Sequence, residues 1–140
     1  MSTNKKAAVE IEVVAAVIVR QQLFLCLQKG FHRFDYLKDK FEFPGGKMEK
    51  GESPQAALIR EIQEELCLTI LPVEHLITIP HQYPDFAIRL HVWLCEVGEE
   101  EQPILTEHQK ACWLPAEKLR ELDWAAADVP VLGILEKRWM

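Results

Sequence analysis

From Val9 to Arg20 the chain is dense in β-branched and small apolar residues and stops at the polar pair Gln21-Gln22. That pattern predicts a strand buried on both faces in its middle, turning at the two glutamines into a second strand over Leu23–Gln28. Lys29 to Lys40 is polar with scattered aromatics, a long surface loop or a lid over a pocket. The period then becomes helical. Ser53 suits an N-cap, Pro54 the first helical position, and Leu58, Ile59, Ile62 and Leu66 recur along one side up to about Leu66. Leu71-Pro72 reads as the end of a connection. Strands are expected over Val73–Tyr83 and Phe86–Val97, around a turn at Pro84-Asp85. In the second of these, Ile88, Leu90, Val92 and Leu94 form a core face, and Arg89, His91, Trp93 and Cys95 a mixed one. A last strand runs to Leu114, a short helix starts at Pro115–Leu119, and a helix over Pro130–Arg138 turns Val131, Leu132, Ile134 and Leu135 inward. Strands alternating with two main helices predict an α/β protein, an α/β/α sandwich around a mixed β-sheet.

Composition narrows the function. The 140 residues predict one domain spanning 1–140, with residues 1–8 a frayed start. A net charge of −6 argues against binding a nucleic acid polymer, which a basic patch normally marks. The longest apolar run, Val13 to Val19, is too short for a bilayer, and Met1 to Lys6 lacks the character of an export signal. Cys26, Cys67, Cys95 and Cys112 show no CxxC spacing. They read as reduced and mostly buried in a cytoplasmic protein. His75, His81 and His91 lack metal-ligand spacing and read as structural, and His32 and Arg33 as surface residues.

The helix after Pro54 carries the candidate chemistry. Glu61, Glu64 and Glu65 fall within a sector of roughly 100°, beside the apolar one. Three carboxylates there repel one another unless a cation joins them. Hard oxygen ligands suit Mg²⁺ or Mn²⁺, and those ions suit phosphate substrates. Arg60 stands four residues before Glu64, placed to hold it. Glu52 adds an acid at the loop end, and Gly45 and Gly46 let the backbone approach a ligand, with a carbonyl as a further donor. On charge alone, a solvated acidic helix face is the commoner explanation.

Spacing changes the balance. Gly46, five residues, Glu52, seven residues, then Arg60-Glu61-Ile62-Gln63-Glu64-Glu65-Leu66-Cys67-Leu68 resembles the Nudix box, with Cys67 where the family has Gly. A left-handed C-cap costs a non-Gly residue roughly 1–2 kcal/mol, a matter of stability rather than metal binding. The lead-in Phe41-Glu42-Phe43-Pro44-Gly45-Gly46-Lys47 resembles the MutT-like branch, which hydrolyses nucleoside triphosphates. The resemblance implies the Nudix fold and release of a nucleoside monophosphate and pyrophosphate. It implies Glu61, Glu64 and Glu65 with the Gly45 carbonyl as Mg²⁺ ligands, Glu61 also as base, Glu52 at a second ion and Arg60 orienting the acids. Lys47 would touch phosphate. Phe43 would line the base pocket, the alternative being a core aromatic. Glu107, six residues before Trp113, would join the metal site, the alternative being a surface acid.

For the base, Asp128 matches an Asn with which the branch reads oxidised guanine. A carboxylate only accepts hydrogen bonds and suits the amino group of cytosine. The tail EHQKACWLP…AADVPVL is also similar to the CTP pyrophosphohydrolases of this branch. Gln28 stands where related enzymes often carry Arg on the nucleoside side. The expectation is therefore a small-molecule nucleoside triphosphate, a cytidine nucleotide ahead of 8-oxo-dGTP, for a monomer or homodimer. A silent Nudix nucleotide-binding module is the competing class, although silent members typically lose box glutamates. A nucleotide-sugar or dinucleotide pyrophosphatase is disfavoured by the FEFPGGK lead-in.

Overall fold

A computed structural model describes residues 10–140; Val9 and the expected frayed start lie outside them. β1 (Glu10–Arg20) and β2 (Leu23–Lys29) form the predicted hairpin. Its turn residues Gln21 and Gln22 have φ of 54° and 68°, the paired positive angles of a type I′ turn. β1 is the spine of the sheet. Its middle, Val14 to Ile18, is buried on both faces, as expected of a strand covered on each side.

The remaining strands are β3 (Phe41–Glu42), β4 (Gly45–Lys47), β5 (Ile70–Gln82), β6 (Ala87–Val97) and β7 (His108–Leu114). On one side β1 runs parallel to β6, which pairs antiparallel with β5 at the sheet edge. Its other side is divided: Val13–Ala15 pair with β4, and only Val19 and Arg20 pair with β2. β2 in turn holds β3 and β7. The sheet is mixed.

The period-2 alternation of β1 and β2 sorts the core into two layers. Val14, Ala16, Ile18, Leu25 and Leu27 meet Ala57, Leu58, Ile62 and Leu66 of α1 (Pro54–Leu66). Ala15, Val17, Phe24 and Cys26 meet Val131, Leu132 and Leu135 of α2 (Val129–Trp139). The result is the expected α/β/α sandwich.

Three details differ from the sequence reading. Leu71 and Pro72 lie within β5, because an edge strand tolerates a proline whose missing N–H faces away from the ladder. The register shifts at Pro72/Glu74 and His75/Ile77 absorb the irregularity. The helix expected at Pro115 is a 3₁₀ segment, Ala116–Glu121. On α1, Ile59 is 44% exposed and Ala57 is buried. The buried stripe is therefore rotated towards Ala57, running through residues 57, 58, 62 and 66, with Glu61 and Glu65 half-buried along its edge.

Candidate active site

α1 is delimited by its own sequence. Ser53 Oγ accepts the Ala56 N–H at 3.1 Å, and Pro54 needs no partner at the first turn. Cys67 closes the helix at φ 55°, ψ 35°, donating its N–H to the Gln63 carbonyl at 3.1 Å. Bringing the Glu61 carboxylate against the sheet requires room, and β4 supplies it. A β-carbon on Gly45 would collide with the Val14 carbonyl, and one on Gly46 with the Glu61 carboxylate. The Gly-Gly pair thus lets both the spine strand and the helix carboxylate close onto the same backbone.

Arg60 makes the expected i,i+4 contact and several others. Its fork grips Glu52, Nε to Oε2 at 2.7 Å and NH2 to Oε1 at 2.9 Å. NH1 reaches Glu61 at 2.9 Å and Glu64 only at 3.3 Å, and NH2 also donates to the Lys47 carbonyl at 3.0 Å. Hydrogen bonds from Arg60, and then from the Glu49 N–H, hold the Glu52 carboxyl down at about 2. Glu64 is turned to solvent, its side chain 60% exposed.

Glu65 is the anomaly. Among the described residues its Oε1 is enclosed and has no hydrogen-bond partner. Burial, followed by the charges of Glu42, Glu61 and Glu107, pushes its carboxyl up to about 9. Among the described residues no three His, Cys, Asp or Glu side chains stand converged as a finished metal cage. The donor set still fits a hard divalent cation: an orphan carboxylate oxygen facing further acids is the environment that Mg²⁺ or Mn²⁺ relieves.

A cavity of about 410 Å³ opens beside this cluster. Its walls are of two kinds. Gly45, Gly46, Lys47, Glu65 and Glu107 supply charge and backbone, and Phe43, Tyr83, Leu90, Ala127 and Asp128 supply a largely apolar surface. Phe43 is a buried core aromatic that also lines the cavity, stacking on Trp124 with centroids 4.6 Å apart. Asp128 is brought there by residues 123–125, which lie along β3: Phe41 and Trp124 form a parallel bridge, and the Ala125 N–H donates to the Phe41 carbonyl at 2.9 Å. Asp128 Oδ2 accepts the Phe43 N–H at 2.9 Å. Burial, then Glu42, raises the Asp128 carboxyl to about 7. Gln28 is not brought to the cavity wall, and its amide donates to the Asp39 carbonyl at 3.0 Å.

Several lining residues, Lys29, Glu42, Tyr83 and His108 among them, escaped the sequence reading. Glu42 is held by Lys29 Nζ at 3.1 Å and His108 Nε2 at 2.7 Å. Burial pushes its carboxyl up, but these two partners outweigh it and hold it below the usual range. Tyr83 Oη accepts the Ala127 N–H at 3.0 Å. The one signal in the sequence was an acid, Glu42, between the two aromatics of an otherwise apolar strand.

Comparison with known proteins agrees with this geometry. The NUDIX domain profile matches residues 10–132. The chain is 36% identical over 102 residues to an 8-oxo-dGTP diphosphatase of Escherichia coli (strain K12), covering 73% of this chain and 78% of that one. It is 33% identical over 123 residues to a CTP pyrophosphohydrolase of the same organism, covering 87% and 88%. A solution structure described as MutT, family Nudix hydrolase, from methicillin-resistant Staphylococcus aureus 252 superposes with a TM-score of 0.74 at 34% identity, covering 94% and 99%. With the profile spanning nearly all of the described chain and relatives of 33–36% identity covered over most of their length, this protein belongs to the Nudix hydrolase family.

Proposed function

We propose that this chain is a Mg²⁺-dependent nucleoside triphosphate diphosphatase, converting a (d)NTP and water to the (d)NMP and pyrophosphate. The observation that carries the reading is the unpartnered Oε1 of Glu65, close to the charges of Glu42, Glu61 and Glu107, on one wall of a cavity whose other wall is largely apolar. Glu61, Glu64, Glu65, Glu107 and the Gly45 carbonyl are the groups to hold Mg²⁺, or Mn²⁺ in its place, with Glu52 at a second ion. A bound divalent cation there offsets polyphosphate charge and makes its water more acidic.

The rest is done by the protein's own groups. Glu61 accepts the proton of the attacking water, and Arg60, clamped on Glu52, aims the Glu61 carboxylate. Lys47 attracts phosphate oxygens at the cavity mouth. Phe43 offers its ring to the base, and Asp128 reads its polar edge. An ionised Asp128 accepts from the amino group of cytosine, which favours a cytidine nucleotide. Its carboxyl at about 7 also supports a second reading, 8-oxo-dGTP, because the protonated form donates as well as accepts. The two Escherichia coli relatives bear the names of these two activities. The substrate is a free small-molecule nucleotide, met in the cytoplasm.

The test is a panel of ordinary, methylated and oxidised NTPs and dNTPs, with pyrophosphate release followed in the presence and absence of Mg²⁺. Asp128→Asn is expected to weaken cytidine substrates by roughly 1–3 kcal/mol if the carboxylate accepts from the amino group. Equal preference in both proteins removes Asp128 from base recognition. A Glu61→Gln, Glu65→Gln double variant as active as the parent removes the whole reading.

A further inference from the structure

Glu107 stands exposed at the end of the loop before β7, yet both of its neighbours are tied down, each to an element that carries part of the acid cluster. Thr106 Oγ1 donates to the Glu65 carbonyl of α1 at 3.0 Å. His108 Nε2 meets Glu42 Oε2 at 2.7 Å, and the imidazole is only 6% exposed. Among the described residues its Nδ1 is buried without a partner, and the Glu42 contact is the one polar bond this ring makes. Lys29 Nζ occupies the other Glu42 oxygen. Three strands therefore meet in one clamp: Lys29 ends β2, Glu42 ends β3 and His108 begins β7, at the position where the β2–β7 register shifts.

A buried imidazole that spends its only polar contact on a carboxylate is placed to hold a position rather than to exchange protons with a ligand. We propose that His108 and Thr106 are positioning residues for Glu107, fixing it on the cavity wall beside Glu65, and that this bracket sets the affinity of the acid cluster for its divalent cation. The inference rests on the metal-dependent reading above. Physically, an acid on an unanchored loop must be ordered when the ion binds, and that cost weakens binding; anchoring both flanks removes it in advance.

The experiment measures Mn²⁺ binding to the nucleotide-free protein by calorimetry, the Mg²⁺ concentration for half-maximal pyrophosphate release, and the melting temperature. His108→Phe keeps the ring but loses the bond to Glu42, and is expected to weaken Mn²⁺ binding about tenfold and to raise the Mg²⁺ requirement in parallel. His108→Gln is expected to recover most of the loss, because its Nε2 stands where the imidazole Nε2 does. Wild-type Mn²⁺ affinity in His108→Phe, or a His108→Gln as impaired as His108→Phe, overturns the proposal. Should His108→Phe show no folding transition, the near-isosteric Thr106→Val carries the same test. Several-fold weaker Mn²⁺ binding at an unchanged melting temperature supports the bracket, and unchanged affinity overturns it. Glu65→Gln separates the two levels. If it binds Mn²⁺ as the wild type does, the metal reading falls and the bracket with it. If it loses binding while His108→Phe and Thr106→Val keep theirs, the bracket alone falls.

Discussion

Cys67 holds the left-handed C-cap of α1 with a side chain that gains nothing there, since it is exposed and a free thiol. Cys67→Gly is therefore expected to stabilise the protein by about 1 kcal/mol, read as a rise of a few degrees in melting temperature with metal dependence unchanged. Asp128 predicts a pH effect. Its folded carboxyl sits at about 7, above the ordinary value of 3.8, so the folded state keeps a proton that the unfolded state releases. Its contribution is fully present below about pH 4 and is lost as pH rises through 7. The local slope approaches roughly 1.4 kcal/mol per pH unit. Urea unfolding between about pH 4 and 7 is expected to show this slope in the wild type, levelling off above about 7, and a flatter one in Asp128→Asn.

At the scale of elements, the interest lies in α1 and the two glycines beneath it. Gly46→Ala inserts a methyl group where the Glu61 carboxylate lies, and is expected to lower kcat by at least about a hundredfold with a smaller effect on KM. Arg60→Ala releases the loop at Glu49–Glu52 from the helix, and chemical denaturation is expected to register a loss of roughly 1.5–3 kcal/mol. This is also the scale at which the sequence was most readable. The hairpin at Gln21-Gln22, the limits of α1 and the two-layer core all follow from local periodicity and capping, which depend on near neighbours. The rotated stripe of α1 did not. Period alone assigns Ile59 to the core, whereas Ala57 is buried in its place and the notch made by Gly45 and Gly46 lets the half-buried Glu61 carboxylate close onto β4. The partnership of Glu42 with Lys29 and His108 joins residues 13 and 66 positions away, and nothing local announces it.

For the whole molecule, the puzzle is a chain of net charge −6 that takes a polyanion. On the proposed metal-dependent reading, that net charge disfavours nucleotide until a cation reverses the field at the cavity. Chelation is therefore expected to abolish measurable nucleotide binding as well as turnover, a result equilibrium dialysis with and without EDTA would check. Mg²⁺ at a hundred times its dissociation constant is expected to raise the unfolding free energy by about 2.7 kcal/mol, through linkage alone.

The unpartnered oxygen of Glu65 carries a consequence beyond the reaction. A fold that shelters an uncompensated acid is weakest when its ion is absent, so a protease should nick the protein fastest in magnesium-starved medium. Survival against thermolysin or trypsin would then rise and fall with free magnesium, and Glu65→Gln would blunt that dependence. The lifetime of the protein would register the same ion as its chemistry.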